Sequence, residues 1–120
     1  MTENYRITAE VREGVGIFHV VGYLGEEVGQ ALLAKTEELL CEGVCRLVLS
    51  LEACSVISSP GVSFLLEIAG RVAELQGEVG LAGLDETKGK VLRFMGVMEN
   101  AQEFSTVEDA VQALRDQKTA

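Results

Sequence analysis

Few side chains in this 120-residue chain are of types that do chemistry, and their spacing decides how far each reading goes. The single histidine, His19, could serve nucleophilic catalysis only with a nucleophile on one side and a carboxylate on the other. The three aspartates stand at 85, 109 and 116, far along the chain from Ser58 and Ser59. His19 therefore reads as a strand residue facing solvent or a polar pocket. Cys41 and Cys45 have three residues between them, where redox pairs have two. A zinc site would need two further ligands, and only Cys54 and His19 remain, at irregular distances. The thiols read as small side chains at a helix end and a strand start. Gly83 to Lys90 follows a strand and precedes a helix, as a phosphate loop does. Such a loop has four residues between its glycines and a Ser or Thr after its lysine. Here five intervene between Gly83 and Gly89, and Val91 follows Lys90. No metal or cofactor is called for.

The segment Val56-Ile57-Ser58-Ser59-Pro60-Gly61-Val62 is different. It holds the only proline, and proline suits the first position of a helix, where its missing N–H is harmless. That predicts Ser59 as the N-cap, a role worth about 1 kcal/mol and complete in itself. The same geometry also supports a switch. A serine at a helix start has its hydroxyl at the surface, within reach of a kinase. A phosphate there would meet free N–H groups and the positive end of the helix dipole. It would add about −1.5 to −2 charges to a docking surface without unfolding the domain. Ser58 and Ser63 are neighbouring hydroxyls in weaker positions, one before the cap and one within the first helical turns.

The elements that must position this turn are legible. Residues 7–11 alternate, Glu13-Gly14 signals a turn, and residues 16–21 follow as the second arm of a hairpin. Residues 26–42 carry an apolar stripe at helical spacing, stopped by Gly43. Residues 46–51 form a short apolar run suited to a buried strand. A second helical stripe over 62–75 closes at Gly77, and residues 78–82 read as another strand. A short helix over 88–95 ends at Gly96, and a brief strand sits near Phe104. Ser105-Thr106-Val107-Glu108 fits a capping box, with Ser105 as N-cap of the last helix. The order predicts an α/β single domain. Its sheet is mixed and mostly parallel, of four to five strands, with an N-terminal hairpin and about four helices.

Composition narrows the partners. Apolar residues make up 48% of the chain, enough for one core. The formal charge of −9 is the wrong sign for a nucleic-acid binder or for an anionic membrane surface. No stretch approaches the ~20 apolar residues that span a bilayer, and the first six residues carry no signal-peptide pattern. Three cysteines cannot all pair within the chain, so reduced thiols in a cytoplasm are the expectation. We expect the domain over residues 1–116 and a disordered tail over 117–120.

At this point the sequence resembles the STAS domain family of bacterial anti-sigma factor antagonists, over nearly its whole length. The pieces occur in order. Val20-Val21-Gly22-Tyr23-Leu24 is similar to the family's V-x-G-x-L strand, and Leu47-Val48-Leu49-Ser50-Leu51 to its next buried strand. Ile57-Ser58-Ser59-Pro60-Gly61 is similar to the turn written DSSG. Gly77 to Leu84, Val91-Leu92, Gly96-Val97 and Phe104-Ser105-Thr106-Val107-Glu108-Asp109-Ala110 complete the set. The resemblance implies a non-enzymatic partner switch. Its unmodified form binds an anti-sigma factor with serine kinase activity, and phosphorylation at the DSSG serine releases it.

By position Ser59 matches that phosphoacceptor. Ser58, Pro60, Gly61, Val62 and Ser63 are the expected partner-binding residues. A serine phosphatase would reverse the switch, and a homodimer is compatible with the sequence. Both family aspartates are serine here, at Ser50 and Ser58. Their absence favours an alternative: a STAS scaffold that does not switch by phosphorylation, within a larger sensory or lipid-transport assembly.

Overall fold

The computed structural model describes residues 5–115. Two alternating strands, β1 (Tyr5–Arg12) and β2 (Val15–Leu24), form an antiparallel hairpin. Glu13 and Gly14 join them with φ of +56° and +81°. Two left-handed residues in succession make the turn whose twist matches that of the strands it connects. Helix α1 (Glu26–Cys41) follows, then β3 (Arg46–Ser50), β4 (Cys54–Ile57) and α2 (Ser59–Glu74). The chain continues through β5 (Glu78–Ala82), α3 (Glu86–Phe94), a single 3-10 turn (Val97–Glu99), β6 (Gln102–Phe104) and α4 (Val107–Arg115).

The sheet order is β1-β2-β3-β5-β6, and every pairing except the hairpin is parallel. β4 lies off this path and pairs with β2 beyond the end of β3. The α/β architecture, the hairpin and the four helices are as the sequence indicates. The sheet has six strands, and β4 is the one the sequence reading passed over. The expected tail, residues 117–120, lies outside the described residues.

Both faces of the sheet are covered, which is why β3 and β5 are apolar at nearly every position. On one face Phe18, Leu24, Leu47, Leu49 and Leu81 meet Leu32 of α1, Leu65 and Ile68 of α2, and Leu92 of α3. On the other, Val15, Ile17, Val48 and Ala82 meet Ala110, Val111 and Leu114 of α4 alone. Thr36, within the apolar stripe of α1, is fully buried, and its hydroxyl donates to the Leu32 carbonyl at 2.8 Å.

Two helix starts differ from expectation by one residue. At α4 the cap is Thr106, whose Oγ1 accepts the Asp109 N–H at 3.0 Å, rather than Ser105. At α2 it is Ser58 rather than Ser59.

Candidate functional site

The turn between β4 and α2 is held against the end of β2. After β3 the chain crosses Leu51–Ala53, and Ala53 accepts the Gly22 N–H at 2.9 Å. β4 then runs beside the last residues of β2, pairing Gly22 with Cys54, Tyr23 with Val56 and Leu24 with Ile57. A bulge between Gly22 and Tyr23 absorbs the extra residue, and Gly22 takes φ +95° there.

Leu24 is the anchor. Its carbonyl accepts the Ser58 N–H at 3.0 Å and the Ser58 hydroxyl at 3.4 Å. Ser58 Oγ in turn accepts the Gly61 N–H at 3.3 Å, and Ser58 O accepts the Val62 N–H at 2.9 Å to begin α2. Ser58 thus caps the helix and ties it to the sheet. Ser59 becomes the first helical residue and Pro60 the second. A proline's missing N–H is equally harmless at either position, so Pro60 fixes the helix start only to within one residue. Ser58→Ala removes the cap and one tie to β2. We expect a loss of about 1 kcal/mol, read from the urea unfolding midpoint.

The residues expected to meet a partner divide into two groups. Ser59, Pro60 and Ser63 are exposed, and Ser58 is half-buried. Gly61 and Val62 are buried, so they seat the turn and do not present a surface. A Cβ on Gly61 would come within 3.0 Å of the Leu24 carbonyl oxygen, nearer than side chains approach. The Ser59 hydroxyl has no hydrogen-bond partner among the described residues. The first turn of α2 contains no acidic residue, and residues 53–63 carry no charge.

Two surface residues beside the turn escaped the sequence reading. Tyr23 and Val56 are register partners on β2 and β4, 42% and 52% exposed. Their only signal is the β-branched pair Val56-Ile57, which marks a strand too short to stand out. A groove of about 220 Å³ lies on the other side of β4, lined by Ser55, Val56, Thr87, Lys88, Val91 and Leu92.

The remaining reactive side chains lie apart in role. Cys41 is exposed, Cys45 half-buried and Cys54 buried, and all three are free thiols. Burial pushes the Cys54 thiol up, against a smaller opposing pull from the Lys88 charge, so it stays protonated at neutral pH. His19 is half-exposed on β2 with Nε2 3.5 Å from Glu10 Oε2. The loop from Gly83 leads to Asp85, which caps α3 by accepting the Lys88 N–H at 2.7 Å and its ammonium at 2.6 Å. The ammonium's hydrogen bond, with that of the Lys88 N–H, holds the Asp85 carboxyl below the usual range. Among the described residues no helix is long and apolar enough to cross a membrane.

A family model for the STAS domain matches residues 6–110. The chain belongs to the STAS domain family. A search of curated proteins found no match for this STAS domain. Solved structures share its fold. An anti-sigma factor antagonist from Mycobacterium paratuberculosis superposes with a TM-score of 0.81 at 20% identity, covering 97% of this chain and 98% of that one. The anti-sigma factor antagonist SpoIIAA in its unphosphorylated form gives 0.76 at 20% identity, covering 94% and 99%. The Bacillus cell fate determinant SpoIIAA in its phosphorylated form gives 0.71 at 20% identity, covering 91% and 97%.

Proposed function

We propose that this STAS domain is an anti-sigma factor antagonist of the bacterial cytoplasm, switched by phosphorylation of Ser59. The observation that carries the reading is the state of that hydroxyl. It is exposed, unpartnered and at the first position of a helix whose start is tied to the sheet through Ser58 and Leu24. A kinase can reach it without disturbing the fold. The docking face comprises Ser58, Ser59, Pro60 and Ser63, with Gly61 and Val62 holding it in place. SpoIIAA, at 20% identity, retains the shared fold in its phosphorylated form. The domain acts by binding and not by catalysis.

The partner is an anti-sigma factor that is itself the serine kinase, and a serine phosphatase returns the domain to its binding form. A phosphate on Ser59 would place about −1.5 to −2 charges within an uncharged stretch that docking must dehydrate. We expect Ser59→Glu and the phosphorylated protein to bind the anti-sigma factor about a hundredfold more weakly, and Ser59→Ala to bind as wild type. Titration calorimetry against the kinase measures this. Equal affinity for all three forms refutes the switch.

The serines at 50 and 58 support a second reading, a scaffold that is never phosphorylated. Ser50 is buried at the end of β3, 6% exposed, where the family carries an aspartate. The intact mass of the protein from its native cell separates the two: a fraction heavier by one phosphate on Ser59 rejects the scaffold.

A further inference from the structure

The outer edge of β1 is open. Among the described residues β1 pairs with β2 alone, so alternate residues turn their N–H and C=O groups toward solvent. We propose that this edge docks a second copy of the chain, strand β1 against strand β1, antiparallel about a two-fold axis through Thr8.

Charge selects that register. Side chains alternate between faces, so a two-fold axis normal to the joined sheet must pass through a residue and not between two. With the axis at Thr8, Arg6 of each copy stands opposite Glu10 of the other, and symmetry makes the pair twice. Thr8 meets Thr8, and Ile7 meets Ala9. Moving the axis to Ala9 sets Arg6 against Arg12 twice. Moving it to Ile7 sets Arg6 against Thr8 and leaves Glu10 without Arg6. Opposite charges across a strand pair stabilise it, and like charges destabilise it. On its own chain Glu10 already has the Arg12 guanidinium at 3.2 Å and the His19 imidazole at 3.5 Å on the same face.

The opposite face of β1 supplies the apolar part. Ala9, Val11, Phe18 and Leu39, with Lys35 and Glu38 of α1 beside them, line a groove of about 330 Å³ between β1 and α1, and Val11 is 53% exposed. Ile7 of the second copy, standing opposite Ala9, extends this apolar row across the junction. A strand pair of this length buries less than the ~1,200–2,000 Å² of a stable interface. The charge of −9 on each copy also opposes approach. The dimer is therefore reversible and dependent on concentration. Because the joined strands are antiparallel, the two Ser59 turns lie at opposite ends of the continuous sheet, each open to its own partner. The inference rests on β1 and stands apart from the reading of Ser59.

Sedimentation equilibrium at concentrations up to about 1 mM tests it. Wild type is expected to dimerise. Glu10→Arg and Glu10→Lys each place like charges opposite one another, and each should weaken the dimer at least about tenfold. The double variant Arg6→Glu/Glu10→Arg restores the pairs with their signs exchanged and should dimerise as wild type does. Circular dichroism confirms that each variant is folded. If one single variant misfolds, the other decides with the double. A wild type that stays monomeric, single variants that dimerise undiminished, or a double variant that fails to recover would each overturn the proposal.

Discussion

Gly61→Ala lowers the stability of the domain by about 1–3 kcal/mol, even though alanine is the better helix former. Helix propensity alone favours alanine by about 1 kcal/mol, so the sign of the result is diagnostic. The added methyl would sit within 3.0 Å of the Leu24 carbonyl oxygen and 3.1 Å from both the Leu24 carbonyl carbon and its Cγ. A side chain can swing aside, but this carbonyl is fixed in β2 and already accepts Ser58 N–H. The first turn of α2 must then retreat, stretching the bonds that tie Ser58 to Leu24. Urea unfolding gives the stability, and under the proposed function the same variant should bind the anti-sigma factor more weakly. A variant as stable as wild type would show that the turn is not seated as described.

Leu24→Ala makes the opposite error at the same junction. Leu24 is fully buried within the core shared by α1, α2 and α3. Truncating it costs about 2–5 kcal/mol, the range for an apolar side chain whose surroundings only partly collapse. The carbonyl remains and still accepts from Ser58, so the turn loses its packing and keeps its hydrogen bonds. The double variant separates the two effects. If the carbonyl is the obstacle at position 61, Leu24→Ala does not relieve it, and the double variant is less stable than either single one. Recovery to the stability of Leu24→Ala would identify the leucine side chain as the obstacle instead. Chemical denaturation of the four proteins completes the cycle.

Periodicity made most of the fold legible, and the misses share a cause. The stripes of α1 and α2 and the apolar runs of β3 and β5 are long enough to carry their own signal. β4 is four residues long and exposes Ser55 and Val56, so it has neither a buried run nor a clean alternation. It exists because β2 extends past the end of β3 and offers a free edge, which is a tertiary fact. The caps failed by one residue for a related reason. Ser58-Ser59 and Ser105-Thr106 each offer two adjacent hydroxyls, and composition cannot choose between them. The sheet chooses Ser58, through the Leu24 carbonyl. The candidate phosphoacceptor was legible by likeness to a motif, whereas the inward roles of Gly61 and Val62 required the packing against β2.

The mount of the turn also bears on how such a domain can diversify. What holds Ser58 is a carbonyl of the main chain, and every amino acid at position 24 brings one. The demands on sequence at the joint are an apolar residue there, a capping hydroxyl at 58 and the absence of a side chain at 61. The exposed positions 59, 60 and 63 are under no such demand. Substitutions at those exposed positions can therefore change the surface of the turn while the scaffold beneath it keeps its geometry. Position 58 does not share that freedom, since the Ser58 hydroxyl both accepts the Gly61 N–H and donates to the Leu24 carbonyl.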